Sequence, residues 1–167
     1  MAYIPDIIDY KPFYIQTDMD GVAINTTEWG MIAKVTPFPI LPTPKETYKN
    51  EWLDEDGDDE YTATVYYEAF EFDVMFHIIT KGENAVSDLV SQVSSFFGKV
   101  RHGEFKIYDS YTSIGRRKVR YMGGSIENFK DRIRVMGNKA SCDLTITFKV
   151  NDPITRIILK DGKLVEA

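Results

Sequence analysis

The sequence predicts a mainly-β domain, an antiparallel sandwich or barrel with one packed α-helix at about residues 84–97. Several runs alternate apolar and polar residues at period two, one segment switches to the helical period, and turn-forming residues recur between them. Ten Tyr and ten Phe support the same expectation, because aromatic rings suit a half-buried pleated surface. The 167 residues fit one domain, residues 1–167, and a hydrophobic share of 43% suffices for a core.

Residues 1–11 hold Pro5 and two acidic side chains and read as an irregular arm. Phe13 to Thr17 is a short strand, and Trp29 to Val35 a second. Residues 37–46 contain four prolines, which cannot donate to a sheet ladder, so this stretch is a connector, an edge or an arm that reaches outward. Residues 54–60 form an acidic loop tip. Thr62 to Phe70 and Glu71 to Thr80 give the strongest strand signals, with Phe72, Val74, Phe76 and Ile78 on one face.

From Asn84 to Phe97 the apolar residues fall at 85, 86, 89, 90, 93, 96 and 97, the spacing of a helical face. Asn84 suits the N-cap and Gly98 the stop; Ser87, Ser91 and Ser94 complete the polar face. The two phenylalanines at the end anchor the helix on a sheet. Strands return at Glu104 to Tyr108, Arg117 to Met122, Ile126 to Met136 and Cys142 to Val150. Gly123-Gly124 ends or bulges the second of these, and Ile154 to Val165 folds as a last hairpin around Asp161-Gly162.

Charge is distributed unevenly. Residues 1–83 carry 17 acidic and 5 basic side chains, a net of −12, whereas residues 84–167 carry 9 and 15, a net of +6. Opposite charges on one chain favour head-to-tail contacts between copies. The single cysteine, Cys142, excludes an internal disulfide and reads as buried packing in a strand, in keeping with synthesis in a reducing compartment. The N-terminus lacks the basic start and apolar run of a signal peptide, and no stretch reaches the roughly 20 apolar residues that span a bilayer. No membrane anchor is expected.

No pattern points to catalysis. His77 and His102 have no partner at metal-ligand spacing, and His77 reads as a structural histidine within a strand. The acids Asp54, Glu55, Asp56, Asp58 and Asp59 suggest a calcium loop, but counted from Asp54 the glycine falls at position 4 and position 12 is Val65, so the EF-hand pattern fails. Phosphate-binding loops, dinucleotide fingerprints and nucleophile elbows are absent. No cofactor, metal or catalytic residue is expected. An enzyme would need scattered carboxylates such as Asp73, Asp109 and Asp143 to converge on folding. The basic group Arg116, Arg117, Lys118, Arg120 with Arg132 and Arg134 is a candidate phosphate site, with Tyr111 and Tyr121 near enough to stack on bases, but reads rather as a surface, Arg116, Lys118, Arg120, Arg132 and Arg134, that pairs with an acidic neighbouring subunit; alternation places Arg116, Lys118 and Arg120 on one strand face.

One stretch has a familiar order: EFDVMFHIIT, the helix NAVSDLVSQVSSFFGK, then GEFKIYDS, RRKVRYMGGSIENFKDRIRVMG and CDLTITFKVNDP. Over about residues 62–153 this resembles the N-terminal, ring-forming domain of the distal tail proteins of long, flexible-tailed phages. The tail tube proteins are a related second choice. The resemblance implies a β-sandwich with a helix at its side. It also implies a hexameric ring that joins the tail tube to the tip or baseplate hub and lets DNA pass its lumen without specific binding. The implied location is the virion tail, after synthesis in the cytoplasm of a bacterial host. The chain ends at Ala167, so the C-terminal carrier module of larger members is expected to be absent. The loop acids at 54–60 are the candidate lining of the lumen. A monomeric β-barrel module for a small apolar ligand is the alternative from another class.

Overall fold

Twelve strands and one helix occupy the described residues of the computed structural model, which are 12–18, 20–35, 38–127 and 133–167. In chain order they are β1 (Phe13–Thr17), β2 (Ile24–Asn25), β3 (Met31–Val35), β4 (Lys49–Glu51), β5 (Asp58–Glu60), β6 (Phe70–Lys81), α1 (Ala85–Val100), β7 (Phe105–Asp109), β8 (Ile114–Glu127), β9 (Arg134–Met136), β10 (Lys139–Val150), β11 (Ile157–Lys160) and β12 (Lys163–Glu166). Eight of the strands form one antiparallel sheet in the order β2-β1-β7-β8-β10-β6-β3, with β9 also paired to β10. The expected mainly-β architecture with one helix is thus observed.

The sheet is strongly curled. Three strands separate β1 from β6, so in a flat sheet the two would stand about 19 Å apart at ~4.8 Å per strand. Yet the Phe13 ring on β1 meets the Phe76 ring on β6 edge-on at 5.9 Å. The sheet therefore rolls into a half-barrel whose concave face is the core. The longest ladder pairs β6 with β10 over twelve residues, from Phe70↔Val150 to Lys81↔Lys139. In that register Phe72, Val74, Phe76 and Ile78 share the buried face with Phe148, Ile146, Leu144 and Cys142. Phe148 gathers Phe13, Phe72 and Phe105 within 6.4 Å.

α1 covers part of this face with Ala85, Leu89, Phe96 and Val100, and Phe96 packs between Trp29 and Phe76 at 5.3 and 6.0 Å. Lys99, in the last turn, donates to Asp20 at 2.7 Å and ties the helix to the turn after β1; that bond and one from the Thr17 hydroxyl hold the Asp20 carboxyl below its ordinary range. The hairpin of β11 and β12 packs against the convex side. Its two-residue turn places Asp161 and Gly162 at φ 52° and 74°, the left-handed pair that a tight hairpin requires. Gly115 is the point of closest approach: a Cβ there would stand 2.4 Å from the Ile157 carbonyl oxygen.

Four expectations need correction. Trp29 belongs to a short 3-10 turn, Thr26–Trp29, and the strand begins only at Met31. The helix runs through Gly98 to Val100, because Gly98 sits on the open side while buried Val100 extends the packed face; Asn84 makes no side-chain cap. Ile126 to Met136 is not one strand: Ile126 and Glu127 end β8, residues 128–132 lie outside the described residues, and β9 is an exposed three-residue partner of β10. Residues 62–69 are not a regular strand. Their partner is the proline-rich stretch, where Pro42 and Pro44 have no N–H to give, so only a bridge at Pro44↔Tyr67 and scattered hydrogen bonds form.

Candidate functional site

The feature that no core requirement explains is an arm. Lys45 N donates to the Tyr66 carbonyl and Glu68 N to the Thr43 carbonyl, both at 2.8 Å. Further out, Tyr61 N donates to the Tyr48 carbonyl, and β4 pairs with β5 from Lys49↔Glu60 to Glu51↔Asp58. Residues 43–51 and 58–68 thus form an irregular two-stranded ribbon of about 30 Å, at ~3.3 Å per residue. Its root is held by Phe38, which is buried against Phe72 at 4.5 Å and Phe70 at 6.3 Å.

Along the ribbon, Tyr48, Trp52, Leu53, Tyr61 and Tyr66 are all more than half exposed, and Leu53 entirely so. Trp52 Nε1 donates to Asp59 at 3.0 Å, and Lys49 lies 3.3 Å from Glu51 and 3.6 Å from Asp58. The Glu51 contact, followed by the Asp58 charge, raises the Lys49 ammonium. Such exposed pairs stabilise little. Of the loop acids, Asp54, Glu55 and Asp56 form the solvated tip, whereas Asp58 and Asp59 belong to β5, because they pair with Glu51 and Asn50 of β4. Among the described residues no group of three or more potential ligands is placed to hold a metal ion.

The basic group is only partly brought together. Arg116 lies opposite Ile107, whereas Arg120 lies opposite Lys149. Ile107 points into the core and Lys149 outward, so the two arginines belong to opposite faces, contrary to the expected shared face. The cause is a bulge: three steps on β8 match two on β7, and Lys118 takes a left-handed φ of 53°. Arg116 is half-buried, donates to the Gly115 carbonyl at 3.0 Å, and is lowered in pKa by burial. Lys118, Arg120 and Arg134 are exposed, and Arg132 lies outside the described residues. Arg117, another member of the basic group, is instead bound to Asp152 at 2.6 Å and to Glu166.

The scattered carboxylates do not converge. Asp73 accepts from the Thr147 hydroxyl at 2.5 Å, and Asp143 contacts His77 Nδ1 at 2.9 Å. The ladder sets Asp73 and Asp143 four residues apart, about 13 Å. Asp109 is buried and accepts from Tyr111 N and the Thr112 hydroxyl in the turn after β7. His77 is therefore held as a structural histidine. Cys142 is buried in β10, and burial pushes its thiol up to about 11. Sequence reasoning missed the exposed aromatics of the arm; the signal present was Trp52-Leu53 beside the acidic run 54–60.

A curled antiparallel half-barrel with one helix defines a mainly-β class of structural domain. No family model and no curated protein matches the chain. Among solved structures it is similar to the Dit protein (gp 19.1) of phage SPP1, presented as a paradigm of the hub adsorption apparatus in phages that infect Gram-positive bacteria. The likeness has a TM-score of 0.55 at 17% identity and covers 88% of this chain and 52% of that one. The chain thus spans about half the length of the structure it matches, and the likeness is one of fold.

Proposed function

We propose that the chain is a non-enzymatic structural protein of a phage tail, forming a hexameric ring at the distal end of the tail. It connects the tail tube to the tip or baseplate, and DNA passes the lumen without specific binding. Its place is the virion tail, after synthesis in the host cytoplasm, and residues 1–167 act as one ring-forming unit. The observation that carries this reading is the likeness in fold to a Dit protein over 88% of the chain. The exposed arm supports it, because a two-stranded ribbon without a third layer is marginal alone and gains stability against another surface.

The exposed cations Lys118 and Arg120 of β8 and Arg134 of β9 form the basic side of the subunit contact. Arg116, half-buried on the other face, drops out of it. The acids Asp54, Glu55, Asp56, Asp58 and Asp59, exposed on the arm, are the candidate lining of the lumen. The apolar pocket between α1 and β8 holds about 140 Å³, below the roughly 300 Å³ of small-ligand sites, and the larger cleft of about 430 Å³ lies along the arm, where Lys45, Glu46 and Thr47 make its lining partly polar. The test is native mass by light scattering on a sizing column at micromolar concentration. A discrete hexamer or dodecamer is expected. Open-ended polymers would favour a tail tube protein, and a monomer at every concentration would overturn the ring.

A further inference from the structure

The strand register divides the arm into two unlike faces. Pairing of β4 with β5 puts Lys49, Glu60, Glu51 and Asp58 on one side, and Asn50 and Asp59 on the other. The first side is closed on itself: Lys49 meets Glu51 and Asp58, and the Thr47 hydroxyl donates to Glu60. The second side is aromatic. The bond from Tyr61 N to the Tyr48 carbonyl extends the register by one residue, so Tyr48 and Tyr61 stand opposite each other on the Asn50 and Asp59 side. The Trp52 indole joins them there through its bond to Asp59.

Between this pair and the root of the arm lies the cleft of about 430 Å³, whose walls include Lys45, Glu46, Tyr48, Tyr61, Thr64 and Tyr66. The three tyrosines are each more than half exposed. Among the described residues, no hydrogen bond or ion pair engages the side chains of Lys45, Glu46 and Thr64 or the hydroxyls of Tyr61 and Tyr66. The volume falls within the roughly 300–1,000 Å³ of small-ligand sites, and the mixture of ring faces with free donors and acceptors is theirs too.

The lining selects a ligand class. An aromatic face carries the negative end of the ring quadrupole. A pyranose offers its match, a face of weakly positive C–H bonds rimmed by hydroxyls that both donate and accept. Around the cleft, Lys45 donates, Glu46 accepts from neighbouring hydroxyls, and Thr64 does both. Stacked nucleobases would suit the rings equally, but residues 51–60 hold seven acids and no base, which repels a polyanion. The centre of a protein contact is depleted in charge, whereas Lys45 and Glu46 line this cleft. Their charges cancel, which favours an uncharged ligand. Lys45 and Tyr48 are three residues apart, about 10 Å at ~3.3 Å per residue, so the cleft takes a short run of sugars and not one alone.

We propose that the cleft on the aromatic face of the arm binds a neutral saccharide chain, with its sugar rings stacked on Tyr48, Tyr61 and Tyr66 and its hydroxyls on Lys45, Glu46 and Thr64. This goes beyond the ring reading and does not depend on it.

The experiment titrates the full chain with cellohexaose, chitohexaose and maltohexaose at millimolar concentration, followed by calorimetry. At least one of them is expected to bind. Tyr48→Ala and Tyr66→Ala are each expected to weaken that binding about tenfold, with melting temperature and native mass unchanged. Tyr66→Trp, which keeps a ring face, should restore it, and Lys49→Ala on the opposite face should leave it as it was. Binding by none of the three sugars would overturn the proposal, as would binding that survives the Tyr48→Ala/Tyr66→Ala double variant. A double variant that loses the native assembly, in a protein no sugar binds, would assign the aromatic face to a subunit contact instead.

Discussion

The half-barrel and the arm draw on the same residue types and treat them oppositely. In the body, Phe13, Phe72, Phe76 and Phe148 are almost wholly buried and touch one another. In the arm, Tyr48, Trp52, Tyr61 and Tyr66 stand in solvent. The difference lies in layers, not in strand propensity. Each body strand is backed by the curl of the sheet or by a helix, whereas the arm has two strands and nothing behind them. Burial of apolar area contributes about 25 cal/mol per Å², so the body holds itself together and the arm adds little to its own stability.

The largest expected effect lies in the body. Phe148→Ala should cost about 3–5 kcal/mol, read as a lowered denaturant midpoint, and Phe148→Asp should leave no soluble folded protein. A normal yield and melting curve for the latter would break the contrast at its root.

A charge in the body should likewise count where one in the arm does not. Burial alone would raise the Asp152 carboxyl, but the Thr155 amide and hydroxyl, Arg117 and the Ile154 amide bind it and hold it well below the carboxylate range. The unfolded chain therefore takes up the proton first as pH falls. The stability this carboxylate contributes is present above its ordinary value of about 4 and is lost as pH drops toward the lower folded value. Asp152→Ala should cost about 1–3 kcal/mol at pH 7, a difference that shrinks in acid. Asp54→Ala in the arm should stay within about 0.5 kcal/mol at pH 7. Equal losses at the two positions, followed by chemical denaturation, would remove the distinction.

The smallest effect on the fold is expected from the largest change in sequence. Replacing residues 45–66 by a short Gly-Ser turn should leave the monomer's unfolding free energy within about 0.5 kcal/mol, while assembly into rings is lost. A markedly destabilised body would show that the arm belongs to the core.

Much of the body was legible in the sequence because strand alternation is a local code. Phe13–Thr17, Phe72 to Ile78 and Leu144 to Phe148 fell where period two placed them, and Asp161-Gly162 turned the last hairpin as its residue types implied. The readings that failed depend on a partner. Residues 62–69 look like a strand, yet the strand opposite is broken by proline. Arg116 and Arg120 keep even spacing, yet a bulge against β7 sends them to different faces.

By itself, then, the sequence determined the element types: period two for the strands, the 3.6-residue period for the helix, and a charged proline-flanked excursion between β3 and β6. Tertiary structure alone decided which of two equally apolar helical stripes is buried, which cations share a surface, and that Phe13 meets Phe76. Those outcomes follow from strand register and the curl of the sheet, which join residues far apart in the chain, and a local periodicity does not name the partner that a residue will meet.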